Sequence, residues 1–418
     1  MSAVLSRPKR PSLPLLPPEL WLNIFAFATW APRGVEAYLS KKSHSRGYWW
    51  GIRHPDLKSA FVTRRFLVRV CRQWRSLATP LLYEHIIIGR AKFASSLRHT
   101  LAASEREAES TENYRSLGSW TKRLDVAVRD GDDKHAGSLD MKDLCSIIRC
   151  LPNLTAVVFS LPFGFFAPAI LPESILDALV ETCSTTLHDM LWTTTSLLPD
   201  REQWCSFLTK MPGLRRLGCP YTYTSPHHML QAVTLPSISG LTITPSSVEV
   251  SAAFDDTNHF PSLQELVYSR WGVMGPSLLG ALLRVSGHTI TRVVLSVDDS
   301  HALLSELIVL KRFCPNLIRL DIAFRRWRDM SSICDIPPVS ILGLHCSQLR
   351  AKSREYQRLF DILHAVRPLT LKVIRFLDHR IVENLRGHHP NAYKVGISVL
   401  NISGCRVEDH EGVSLLTT

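Results

Sequence analysis

The sequence lacks any apolar run suited to carrying it into or across a membrane. Its opening, Met1 to Pro11, holds Arg7, Lys9 and Arg10 among prolines and no hydrophobic segment of the kind a secretory signal needs. The uncharged, largely apolar stretch Leu154 to Leu171 is interrupted by Pro162, Gly164 and Pro168, which argues against a single lipid-embedded helix. The chain is therefore expected in the cytoplasm, the nucleus or both, with no membrane partner. Ten cysteines occur, yet none forms a CxxC pair and no two histidines stand at zinc-finger spacing. They read as reduced, packed thiols, and no metal or other cofactor is expected. The glycosylation matches at Asn153 and Asn401 then carry no weight, because an intracellular chain never meets that machinery. Phosphate-cradling GxxxxGK[ST], GxGxxG, the GxSxG elbow and HExxH are also missing. His227 with His228, His345 with Cys346, and His388 with His389 are adjacent pairs, and chain neighbours do not point at one site. A protein that binds, and not an enzyme, is expected.

What is present is the balance of a folded protein, with 45% hydrophobic and 21% charged residues. A chain of 418 residues exceeds what one core organises, so two domains or an elongated array is expected. The net charge of +12 is concentrated at one end. Residues 1–100 carry 17 Lys/Arg against 4 Asp/Glu, and the other 318 residues sum to −1. A basic end of this kind faces either solvent or an acidic protein partner, and nucleic acid is not the expected partner.

Leu16, Pro17, Pro18, Glu19, Leu20, Trp21, Leu22, Asn23, Ile24 and Phe25 predict a helix, because the prolines suit a first turn and Glu19 suits its positive end. Leu20 with Ile24, and Trp21 with Phe25 and Ala28, give it a broad apolar face. Phe66, Leu67, Val70, Trp74 and Leu77 predict a second helix with Arg65, Arg69 and Arg72 on its back. Pro80 is expected to end it, and Ile86, Ile87 and Ile88 before Gly89 predict a short extended segment. The first segment, through Leu16, Pro17, Glu19, Leu20, Ile24 and Phe25, resembles the opening half of the F-box family pattern. The second, through Val70, Cys71, Arg72, Trp74, Leu77 and Ala78 with Pro80 to Glu84 following, resembles its closing half. An insertion departs from the pattern: residues 29–63 separate the halves, with Lys41, Lys42, Arg46, Tyr48, Trp49, Trp50 and Arg53 inside it. The resemblance implies a small three-helix unit that docks on the Skp adaptor of a Skp/cullin/F-box ubiquitin ligase. It assigns Leu16, Pro17, Leu20, Trp21, Ile24, Phe25, Val70 and Trp74 to adaptor binding. Independently, so small a unit cannot bury every large apolar residue in it, so some must stay exposed unless a partner covers them.

Phe93, Leu97 and Leu101 predict a connecting helix, and the charged stretch from Glu105 to Arg115 an exposed linker. Beyond it a frame recurs: apolar, two residues, apolar, one residue, apolar. It fits eleven times, at Thr121/Leu124/Val126, Leu154/Val157/Phe159, Leu187/Met190/Trp192, Leu214/Leu217/Cys219, Ile238/Leu241/Ile243, Leu263/Leu266/Tyr268, Ile290/Val293/Leu295, Leu317/Leu320/Ile322, Val339/Leu342/Leu344, Leu371/Ile374/Phe376 and Ile397/Leu400/Ile402, with starts 22 to 33 residues apart. Pro152, Pro212, Pro236, Pro261, Pro315 and Pro337 each stand two residues before a frame, so these repeats are expected to run from helix through a proline stop into a strand. The pattern resembles leucine-rich repeats in its spacing. Only the last unit, with Cys405 and Val407, carries that family's full signature, which implies an irregular αβ solenoid.

The expected architecture is α/β, with a basic tail (1–12), an F-box module (13–89), a helix and linker (90–118) and a leucine-rich-repeat-like solenoid (119–418). If the frame's last two apolar residues point inward, their neighbours line the open sheet face. Those neighbours include Asp189, Arg216, Glu265, Arg292, Arg319, Asp321, His345 and Arg375. Arg216, Glu265, Arg292, Arg319, Asp321 and Arg375 are the candidate target-binding residues, and the arginines favour an acidic target. The function expected is a substrate-recognition adaptor, its module on the Skp adaptor and its repeats on a target protein. An F-box scaffold or a nuclear tethering protein without a ubiquitylation role is the alternative.

Overall fold

The computed structural model describes residues 16–30, 55–112, 114–128, 139–160, 169–192, 197–218, 234–243, 259–270, 278–297, 300–332, 335–348 and 351–415. The basic tail and residues 31–54 of the insertion lie outside these.

Among the described residues, three helices come first: α1 (Pro18–Ala28), α2 (Pro55–Val70) and α3 (Arg72–Tyr83). The end of the insertion is thus helical, since α2 begins at Pro55. The stripe from Phe66 to Leu77 is not one helix. The chain breaks at Cys71, which is extended (φ −158°, ψ 172°) and whose Sγ accepts the Trp74 amide at 3.4 Å, capping α3. Nor does Pro80 end the helix, for α3 runs on to Tyr83. An interior proline costs about 3 kcal/mol in an isolated helix. Here packing offsets it, because Ala78 is buried with Phe25 and Leu67 while Leu77 and Leu81 lean on the same cluster. Arg64, itself buried, donates to the Thr29 carbonyl at 3.2 Å and lies 3.5 Å from Glu84, tying the ends of α1 and α3 to α2.

The remainder is mixed α/β. Its strands are β1 (His85–Ile88), β2 (Arg123–Val126), β3 (Ala156–Phe159), β4 (Ala169–Ile170), β5 (Asp189–Trp192), β6 (Leu197–Leu198), β7 (Arg216–Gly218), β8 (Gly240–Ile243), β9 (Glu265–Arg270), β10 (Arg292–Val297), β11 (Arg319–Phe324), β12 (Ile341–Cys346), β13 (Val373–Phe376) and β14 (Arg406–Glu408). Between them lie α4 (Ala94–Ser110), α5 (Met141–Arg149), α6 (Glu173–Cys183), α7 (Arg201–Thr209), α8 (Leu278–Ser286), α9 (Ser300–Phe313), α10 (Ser353–Val366), α11 (His379–His388) and α12 (Pro390–Ile402). Twelve strands form one parallel sheet in chain order, and β4 pairs with β6 apart from it. A parallel crossover is nearly always right-handed, so an order that never reverses sends every helix to the same face. The other face is left to solvent or a partner. The sheet starts earlier than the repeat frame suggests, because His85 to Ile88 pair in register with Arg123 to Val126.

Ten of the eleven frames coincide with strands, and their described apolar residues are at most 4% exposed. The reason is visible at each strand start. Leu154, Leu214, Ile238, Leu263 and Leu317 each donate their amide to the residue three before, closing turns whose second residue is Pro152, Pro212, Pro236, Pro261 or Pro315. Proline's fixed φ suits that position. One carbonyl then accepts two amides from the next repeat: Thr155 from His188 and Asp189, His188 from Arg215 and Arg216, Arg215 from Ser239 and Gly240. Each repeat therefore fixes the register of its successor by backbone bonds that do not depend on side-chain identity.

The eleventh frame is wrong. Ile397, Leu400 and Ile402 belong to α12, where Ile397 and Leu400 share the buried face by their three-residue spacing while Ile402 is 87% exposed. The helix ends through Gly404 in the left-handed region (φ 81°), with Cys405 donating to the Leu400 carbonyl at 3.0 Å. The strand is Arg406–Glu408, and Val407 pairs with Ile374. The charged stretch expected as linker is also partly helical. Residues through Ser110 continue α4, which is anchored by buried Ala94 and Leu101 and by Ser104 Oγ accepting the Leu117 amide at 2.9 Å.

Among the described residues, no helix is long and apolar enough to cross a membrane. Burial pushes the thiols of Cys150, Cys183, Cys314 and Cys346 up to about 12, and that of Cys405 to about 11. A thiol held protonated is a poor nucleophile. Brief iodoacetamide treatment of the native protein at pH 8 is expected to leave these five unmodified and to label exposed Cys71, as read by mass spectrometry. Labelling of Cys183 or Cys314 at the rate of Cys71 would show that the packed repeats open.

Candidate functional site

Two surfaces contain the predicted site residues. The first is on the helical module. Its core is small: Phe25, Leu67 and Ala78, with Trp21, Val68, Trp74, Leu77 and Leu81 packed around it. Phe25 is 1% exposed and its ring lies 4.8 Å from that of Trp74, which is in turn 4.8 Å from Trp21. Phe25 therefore cannot touch a partner, and its assignment to adaptor binding is corrected to core packing. Trp21 and Trp74 are half-buried in the same stack. Leu16 is half-buried and Pro17 exposed. Leu20 and Ile24, by contrast, are 47% and 46% exposed, and Val70 is 56% exposed.

The apolar surface is wider than the motif residues. Leu20, Ile24 and Phe27 follow one stripe of α1 by helical spacing, and Val62, Phe66 and Val70 one stripe of α2, all exposed. Phe27 and Phe66 are large apolar side chains that no packing explains. Sequence reasoning missed Phe27 as a surface residue, although the spacing 20, 24, 27 carries the signal. It also placed Phe66 in a stripe with Leu67, which is buried.

The second surface is the sheet face opposite the helices. Register sets Asp189, Arg216, Gly240, Glu265, Arg292 and Arg319 side by side on β5 and β7 to β11. Two residues further on, Asp321, Gly343, Arg375 and Glu408 form a second row on β11 to β14. The six candidate target-binding residues are thus brought onto one face. They are not free charges, however. Arg292 contacts Glu265 at 2.9 Å and Asp321 at 3.1 Å, and Arg319 contacts Asp321 at 2.9 Å. Arg216 meets Asp189 at 2.8 Å, and Glu408 takes Arg375 and Arg406 at 2.6 Å each. The acids lie deep, with side chains of Asp321 and Glu408 only 3% and 1% exposed. Gly343 makes this possible beside β11, since a Cβ there would fall 2.0 Å from Asp321 Oδ1. The row of arginines that suggests an acidic target is largely neutralised from within.

At the far end of this face His345 is buried, not displayed. Burial lowers its pKa first of all, Asp378 opposes this and Arg380 adds to it. Asp378 caps α11 by accepting the Arg380 amide at 3.0 Å. Burial pushes its carboxyl up, but the hydrogen bonds and charge of Arg380 outweigh this and hold it below the ordinary range. A histidine with a depressed folded pKa contributes stability fully above its unfolded value, near 6.5, and loses it as pH falls below that. Melting temperature should therefore drop between pH 7 and 5 more steeply in the native protein than in a His345→Gln variant. Parallel slopes would mean that His345 takes up its proton without opening the fold.

Among the described residues, no group of three or more His, Cys, Asp or Glu is placed to hold a metal ion. Neither a family model nor a curated protein sequence matches the chain.

Proposed function

We propose that the chain is the substrate-recognition subunit of a Skp/cullin/F-box ubiquitin ligase, its helical module docking on the Skp adaptor and its sheet face receiving a target. The observation that carries this reading is the exposed apolar surface of α1 and α2, which includes Leu20 and Ile24 of the F-box-like segment. Exposed large side chains gathered on so small a unit are the usual mark of a partner surface. The serial parallel sheet with its proline turns supports reading the remainder as an irregular leucine-rich-repeat-like solenoid, whose open face spans many strands. Such a protein needs no catalytic residues of its own. It raises the effective concentration of target at the ligase, whose other subunits perform the transfer. In the cell this places it in the cytoplasm or nucleus.

The test is direct binding of the full chain to purified Skp adaptor by calorimetry and size exclusion. A stable one-to-one complex is expected, and separate elution of two folded proteins would end the proposal.

A further inference from the structure

The charged face is balanced over β9 to β14 but not at the rim of β3 to β9. There a groove of about 450 Å³ runs along the strand starts, walled by His188, Asp189, Arg215, Arg216, Gln264 and Glu265. Beside it on β8, Gly240 projects no side chain between Arg216 and Glu265. The stem of Arg216 leans into that space, since a Cβ on Gly240 would lie 2.8 Å from its Cγ. Both acids of the wall are already matched: Asp189 by Arg216 at 2.8 Å, and Glu265 by Arg292 at 2.9 Å. The hydroxyls of Thr155 and Ser239 are turned to the carbonyls of Lys122 and Arg215. What stays unengaged in the groove, among the described residues, is the guanidinium of Arg215, which is exposed, the side-chain amide of Gln264 and the imidazole of half-buried His188. One cation without a counter-ion, one amide able both to donate and to accept, and one imidazole define the complement of the groove.

We infer that this groove holds an extended peptide segment of a target, with one Asp or Glu side chain on Arg215 and its backbone read by Gln264. Length supports a peptide over a small anion. Five strand starts separated by roughly 4.8 Å give a trough of about 19 Å, the reach of about six extended residues. A guanidinium recognises a carboxylate by a charge-assisted, bidentate pair, which selects the acidic residue's position. The inference deepens the receptor reading above and rests on it.

The experiment uses the full chain and an array of acetylated, amidated octapeptides in which each position is scanned through all residue types. Selection of Asp or Glu at one position is expected. In Arg215→Gln that selection should fall about tenfold or more, the loss of the charge-assisted pair, and Gln264→Ala should weaken all peptides equally. The control is Arg358→Gln, an exposed arginine on α10 away from the groove. Flat selectivity, selectivity indifferent to Arg215→Gln, or equal loss in Arg358→Gln would each overturn the site. So would capture of oligothymidylate, in place of peptide, through Arg215. Adaptor binding measured on the same Arg215→Gln protein separates the two ideas: a chain that binds adaptor but selects no peptide loses the groove and keeps the receptor reading, whereas one that binds no adaptor loses the receptor reading whatever the array shows.

Discussion

Replacing Arg292 and Arg319 together by Gln is expected to destabilise the protein by about 3 to 5 kcal/mol, far beyond the usual half-kilocalorie range of surface exchanges. Read from sequence, these arginines look like solvated side chains on an open face that tolerate exchange. The structure reverses that expectation because their shared partner, Asp321, is buried and accepts from both. With both gone, a carboxylate remains in a place where water cannot reach it and no cation answers it. Either single substitution should be much milder, about 1 kcal/mol, since the other arginine still serves Asp321. Adding Asp321→Asn to the double variant should recover most of the loss, because it removes the charge that has become uncompensated. Urea unfolding of the native protein and these four variants decides the matter. A double variant within about 0.5 kcal/mol of the native protein would mean that Asp321 is hydrated, and that these arginines are open to a target after all. Arg375 follows the same logic more weakly, because Arg406 also reaches Glu408.

The second large effect separates packing from docking in the helical module. Phe25→Ala should unfold or greatly weaken the module, at a cost of about 3 to 5 kcal/mol, since Phe25 is its central buried ring. Leu20→Ala, five residues away on the exposed stripe, should leave the fold within about 0.5 kcal/mol. It should nevertheless lower adaptor affinity by about 2 kcal/mol, or roughly thirtyfold. Phe27→Ala and Phe66→Ala extend the same test to residues outside the family pattern. Trp74 should show both losses, because its ring contacts Trp21 and Phe25 while part of it stays accessible. Circular dichroism and calorimetry on the same samples give the answer. Unfolding of Leu20→Ala, or affinity unchanged by it, would remove α1 from the interface.

Much of the strand ladder was legible because its marks are local. An apolar frame with period two says which side chains share a face, and a proline two residues earlier says where the turn closes. Both follow from backbone geometry alone. The eleventh frame failed for the same local reason: apolar residues three apart fit one face of a helix as well as the start of a strand. Only the packing of α12 on its neighbours, with Gly404 turning the chain, chooses between them. Cys71 and Pro80 were misread in similar fashion. A proline tolerated inside α3 is decided by what surrounds Ala78, and a thiol that caps it by the extended break at Cys71, not by propensity.

By itself, then, the sequence determined the α/β class, ten strand positions, the inward face of each and the apolar surplus near the N-terminus. These depend on spacing and on side-chain size, which a linear chain displays. Tertiary structure alone decided which charges are spent on each other and which are left for a partner. Arg292 and Arg319 look no different from Arg215 in the sequence, yet Arg292 closes on a buried Asp321 from the neighbouring strand and Arg319 from two residues away on the same strand, while Arg215 lines a groove along the strand starts. The difference arises because strand pairing brings together residues some 25 positions apart, and a charge is defined by its neighbours in space.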